Sequence, residues 1–90
     1  MNNKKQDVII NFKKAYGLVS KIIEMVEDKE YCINIMQQNL AVIGLLRSAH
    51  EMLMEKHLNT CFKKAMAAKN EKRKQEMIEE ILTVTKLFNK

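Results

Sequence analysis

The sequence predicts an all-α protein of three helices with a long central one. Three observations carry this. The 90 residues include no proline and only two glycines, so few positions interrupt a helix. Apolar residues recur at alternating steps of three and four, the period of one helix face. Two short polar joints, at residues 27–30 and 68–70, cut the chain into three such stretches. No repeat, low-complexity segment or second domain is apparent, and one domain over residues 1–90 is expected.

The first helix is expected over about residues 4–28. Val8, Phe12, Ala15, Val19, Ile22 and Val26 form its apolar seam, and Ile9, Tyr16 and Ile23 widen it. Asn2 or Asn3 is placed to cap its start. Gly17 costs helix stability, and either admits a close neighbour or is simply tolerated. The second helix is expected over about 29–67, with Asp28 as its N-cap and Ile35, Val42, Leu45, Ala49 and Met52 as its seam. The third is expected over about 71–87. Asn70 caps it, Glu71 and Lys86 suit the two ends of its dipole, and Ile78, Ile81, Leu82, Thr85 and Phe88 form its apolar face. A second helix this long cannot bury itself within so short a chain, so oligomerisation is expected.

Composition narrows the function. With 47% apolar and 30% charged residues the chain is neither disordered nor membrane-spanning. Its apolar runs are too short for a span, and the start, MNNKKQDVII, is not a signal peptide. A cytosolic protein is expected, where thiols stay reduced. The two cysteines then read as free thiols or ligands before they read as a disulfide. The net charge is +5, and Lys4, Lys5, Lys13, Lys14 and Lys21 outnumber Asp7 near the start. That bias suits nucleic acid or another polyanion, and a solvated lysine-rich surface accounts for it equally well. No hydrolase constellation, phosphate loop or dinucleotide fingerprint is present, and an enzyme is not expected.

The chemistry concentrates between Cys32 and Cys61. His57 and Cys61 are four apart and share a face if helical. Cys32 lies 25 residues before His57, roughly 38 Å along a single helix at ~1.5 Å per residue. Cys32 therefore cannot meet its own His57, but it can meet His57 and Cys61 of an antiparallel second copy, with the two-fold axis near Leu45 and Leu46. At the first turn of the second helix the dipole favours a Cys32 thiolate. Two thiolates and one imidazole form a soft set of three donors. That suits Cu(I), with Zn(II), which usually takes four ligands in structural sites, as the main competitor. A His-x-x-x-Cys pair alone is equally compatible with two ordinary packed side chains; the distance to Cys32 is what adds the metal reading. His50 and Met54 lie on the same stripe and are either extra ligands or, more simply, an interfacial polar residue and packing.

These residues resemble the copper-sensitive operon repressor family, in its Cu(I) branch. The matching pieces are Gly17, Tyr31-Cys32, the run IMQQNLAV, His57-Leu58, Thr60-Cys61-Phe62 and Ile78-Glu79-Glu80. The resemblance covers nearly the whole chain, and the Cys-x24-His-x3-Cys spacing is its specific part. It implies an antiparallel four-helix-bundle dimer, paired into a dimer of dimers, with Cu(I) held by Cys32 of one chain and His57 and Cys61 of the other. It implies Tyr31 and Glu80 as outer partners of that site. It also implies that the apo protein binds operator DNA and releases it on binding metal. Nickel and cobalt sensors of the family use an N-terminal histidine and a histidine where Cys61 stands, and persulfide sensors lack the histidine found here as His57.

The departures fall on the DNA side. Asn11 stands where the family usually has an arginine, Leu18 where it has a glutamine, and Ser48 where it has a basic residue, with Arg47 next to it. Lys13, Lys14, Lys21 and Arg47 remain as candidates for DNA phosphates, since such contacts tolerate a change of basic residue. The alternatives to a Cu(I)-responsive repressor are a Cu(I) buffer or regulator partner of the same fold without DNA binding, and a thiol-reactive sensor acting through Cys32.

Overall fold

The computed structural model describes residues 4–90, with Lys4 as backbone only; the caps expected at Asn2 or Asn3 lie outside the described residues. The elements are α1 (Lys4–Glu27), α2 (Cys32–His57), a π turn (Leu58–Phe62), α3 (Lys63–Ala67) and α4 (Glu71–Phe88). Helical backbone runs without a gap from residue 32 to residue 67. α2, the π turn and α3 therefore make up the long central helix, and α4 is the third. The fold is all-α, with no strand among the described residues. It comprises two compact units, one ending at Glu55 and the other spanning Lys56–Lys90.

In the first unit α1 and α2 form an antiparallel hairpin. The joint between them is four residues long, and Asn11, far down α1, donates from Nδ2 to the carbonyl of Leu45 at 3.4 Å. Val8, Ala15, Val42 and Ala49 are buried, each pair one heptad apart. Asn11, Leu18, Ile22 and Met25 are half-buried on α1, as are Ile35, Gln38, Leu45 and Met52 on α2. Both helices thus present steps of three and four to each other. The seam expected on α2 faces inward throughout. The seam expected on α1 is corrected: Val8, Ala15 and Ile22 face α2, whereas Phe12, Val19 and Val26 are 43%, 42% and 58% exposed. Asn11, Leu18 and Met25 take the inward places. No atom lies within 4 Å of a Cβ built on Gly17, so within one chain this glycine admits no close neighbour.

α2 starts at Cys32 and not near residue 29, because α1 ends in a left-handed cap. Lys29 has φ 56°. Its N–H donates to the Val26 carbonyl at 3.1 Å, and that of Glu30 to the Met25 carbonyl at 2.9 Å. This is the paired 5→2 and 6→1 closure of a Schellman motif. Asp28 therefore belongs to the end of α1 and does not cap α2. The carbonyl of Tyr31 accepts the first bonds of α2, from Asn34 at 3.0 Å and Ile35 at 3.3 Å.

The second unit is built differently. Its buried residue is Met77, on α4, with Phe62, Ala65, Met66, Lys74, Ile81 and Phe88 half-buried. The inward stripe of α4 thus runs through residues 74, 77, 81 and 88. Of the expected face, Ile81 and Phe88 lie on it, while Ile78, Leu82 and Thr85 are exposed. Ala68 turns the chain in extended conformation after α3, and Asn70 caps α4 by accepting from the Arg73 N–H at 3.1 Å, as the sequence predicts. Among the described residues, no helix is long and apolar enough to cross a membrane.

Candidate metal centre

Cys32 is the first residue of α2 and His57 the last. One continuous helix therefore sets the two at its opposite ends. Both cysteines are free and exposed, and His57 is half-buried. Among the described residues of a single chain, no three His, Cys, Asp or Glu side chains converge to hold a metal. Tyr31, just before Cys32, is 68% exposed. Glu80 is exposed on α4.

The π turn is the local feature that periodicity did not reveal. It begins directly after His57 and contains Cys61. Its hydrogen bonds reach one residue further than those of an α-helix. The turn is wider, which brings residue i+4 more nearly into line with residue i than an α-helix does. Thr60 braces this turn. Its Oγ1 donates to the Lys56 carbonyl at 2.7 Å and lies 3.8 Å from Sγ of Cys61. A hydroxyl has one proton, and the shorter contact to the carbonyl takes it. The sequence holds no signal for this turn, because it lacks glycine and proline.

A soft ion fits this donor set: two unpaired, accessible thiols and one imidazole, all on helical backbone. The model of a family described as metal-sensitive transcriptional repressors matches residues 4–87. The chain belongs to that family. Among its relatives is the copper-sensing transcriptional repressor CsoR of Mycobacterium ulcerans, 33% identical over 86 residues, covering 96% of this chain and 71% of that protein. CsoR of Bacillus subtilis is 32% identical over 90 residues, covering 99% and 86%. A crystal structure of the copper-sensing repressor CsoR with Cu(I) from Geobacillus thermodenitrificans superposes with a TM-score of 0.83 at 32% identity, covering 100% of this chain and 93% of that one.

The residues expected to meet DNA sit on the first unit. Lys13, Lys14, Lys21 and Arg47 are all exposed; Lys13 lies opposite the inward stripe of α1, and Lys14 and Lys21 on its flank. Asn11, Leu18 and Ser48, the positions expected to depart from the family on the DNA side, are half-buried, and Asn11 is bonded to α2.

Proposed function

We propose that this protein is a Cu(I)-responsive transcriptional repressor that binds operator DNA in its apo form and releases it on binding metal. The observation that carries the reading is the placement of the three donors in a family member: Cys32 opens α2, and His57 and Cys61 close it through a π turn. In this reading Cys32 of one chain joins His57 and Cys61 of a second, antiparallel chain, and residues 1–90 act as one sensing domain. Tyr31 and Glu80 are the outer partners. The uncovered apolar surface supports a second copy. Phe12, Val19 and Val26 on α1 and Met36, Leu40, Ile43 and Leu46 on α2 are exposed in the single chain. A four-helix-bundle dimer, assembled as a dimer of dimers, buries such stripes. The protein works in the cytoplasm as a regulator and not as an enzyme.

The residues supply the switch as follows. The exposed thiols and the imidazole lose their protons on ligation, so metal uptake releases protons. A site shared between chains favours the arrangement in which those chains sit correctly, and that arrangement presents its basic surface differently to the duplex. Titrating the apo protein on its own promoter with Cu(I) under anaerobic conditions tests the reading. DNA release at one Cu(I) per chain is expected. Absence of any promoter complex at low salt defeats it in favour of a Cu(I) buffer of the same fold, a second reading favoured by the hairpin role of Asn11.

A further inference from the structure

Charge is divided unevenly between the two units. Up to Glu55 the chain carries seven lysines and arginines and seven acids, and is neutral. From Lys56 onward it carries nine basic residues and four acids, so the whole excess of +5 lies there. Residues 56–74 hold seven of those basic residues against a single acid, Glu71. Two are engaged within the chain: Arg73 Nη1 with Glu76 at 3.5 Å and Lys74 Nζ with Glu71 at 3.2 Å. Lys63, Lys64, Lys69 and Lys72 are exposed, and among the described residues they form no ion pair.

Local charge is what a polyanion meets, because salt screens over about 8–10 Å. Lys21 lies three residues from Glu24, and Lys13 and Lys14 lie six and seven from Asp7, in a unit that is neutral as a whole. The acids nearest the lysines of the corner, Glu71 and Glu76, are already engaged by Lys74 and Arg73.

We propose that the corner between α3 and α4, presenting Lys63, Lys64, Lys69 and Lys72, is a second DNA-backbone surface of this repressor, engaging operator phosphates in addition to α1. The inference rests on the repressor reading above. α3 has five residues and is ~7.5 Å long at 1.5 Å per residue. Its two lysines, Lys63 and Lys64, are adjacent at its start, and Lys69 and Lys72 follow beyond its end. Lysine is a point charge on a flexible stem, suited to phosphate oxygens and indifferent to sequence. The surface adds affinity and salt dependence, and leaves the choice of operator to other contacts.

The test is fluorescence anisotropy of a labelled duplex from the protein's own promoter, and of an unrelated duplex, with apo protein across a salt series. The wild type is compared with the combined Lys63→Gln, Lys64→Gln, Lys69→Gln, Lys72→Gln variant, and with Lys13→Gln, Lys14→Gln, Lys21→Gln. Far-UV circular dichroism and Cu(I) stoichiometry should match the wild type for both variants, since all seven side chains are exposed. The corner variant should lose at least about tenfold in affinity for both duplexes, with the slope of log K on log salt flatter by up to about 3.6 per chain, or ~0.9 per lost phosphate contact. If wild type binds and releases with Cu(I) while the corner variant keeps its slope and stays within about twofold in affinity, the proposal is overturned and the repressor reading stands. A loss seen only with heparin or anionic vesicles overturns it likewise. If wild type does not bind the promoter even at low salt, the repressor reading fails and takes the proposal with it.

Discussion

The two units of this small chain solve opposite problems. The first, up to Glu55, is a hairpin of two long helices with buried residues on both sides of one seam: Val8 and Ala15 against Val42 and Ala49. It carries no net charge. The second has Met77 as its buried residue, a π turn in place of a regular helix, and all of the net positive charge. A regular seam positions backbone reliably but leaves little room for irregular geometry. The second unit gives up regularity, and it is there that His57, Cys61 and the basic corner are found. In the proposed dimer the rigid hairpin delivers Cys32 at one end, and the irregular unit of the partner supplies the other two donors.

The largest effect tests that division directly. A Cys32→Ala chain and a chain with His57→Ala plus Cys61→Ala each leave every shared site incomplete as homodimers. Each should lose Cu(I) affinity by at least ~100-fold, since even outer partners of a metal ligand cost 10–100-fold. Refolded together, they should yield a mixed dimer with one intact site, made of Cys32 from the second chain and His57 and Cys61 from the first. Its other site has lost all three donors. Anaerobic titration of the isolated mixed dimer should give one near-native Cu(I) where wild type gives two, and X-ray absorption should show two sulfurs and one nitrogen. No native-like binding in the mixture would mean that a single chain builds the site, and α2 could not then be one helix in the working protein.

The cores differ next. Met77→Ala removes the buried residue of the second unit and should cost about 2–5 kcal/mol. Ala49→Leu forces a large side chain into a position of 0% exposure in the hairpin and should cost about 1–3 kcal/mol. Urea denaturation reads both. If the units are as unlike as their burial suggests, Met77→Ala should also weaken Cu(I) binding through His57 and Cys61, while Ala49→Leu should reduce stability with little change in per-site affinity. Equal effects on metal binding would remove the contrast.

The residues explain why some of this was legible in the sequence and some was not. On α2 the expected Ile35, Val42, Leu45, Ala49 and Met52 do face inward, although this helix too carries a second apolar stripe, Met36, Leu40, Ile43 and Leu46, which is exposed. α1 is apolar on two adjacent faces. From Val8, a step of four reaches Phe12 and a step of three reaches Asn11; hydrophobicity favours the first, but packing against α2 uses the second. The exposed Phe12 stripe would suit the second copy proposed above, and no single-chain pattern can distinguish such a stripe from a core. The proposed donors were picked out from the sequence because the choice rests on residue types and spacing, and the structure adds that Cys32 and His57 are the first and last residues of α2. The π turn was not legible, because it depends on one added residue per turn and has no residue signature.

The two joints close the comparison, and their effects are the smallest. The joint before α4 depends on a side chain: Asn70 accepts from the Arg73 N–H, and Asn70→Ala should cost about 1 kcal/mol. The joint before α2 depends on backbone alone, with Lys29 at φ 56° and closure by main-chain bonds. Here the sign of the change should reverse. A residue with a Cβ costs roughly 1–2 kcal/mol in the left-handed region, and glycine removes that strain. Glycine also frees the unfolded chain, which opposes the gain by about 0.4–1 kcal/mol. The strain is the larger quantity, so Lys29→Gly should stabilise the protein by about 0.5–1 kcal/mol, seen as a higher urea midpoint with unchanged slope. Loss of the positive charge provides a check: Lys29→Gln removes the charge and keeps the Cβ, and should leave the midpoint near wild type. A Lys29→Gly variant that is destabilised, or a Lys29→Gln variant that gains as much, would mean that the left-handed residue is not what ends α1 and sets the start of α2 at Cys32.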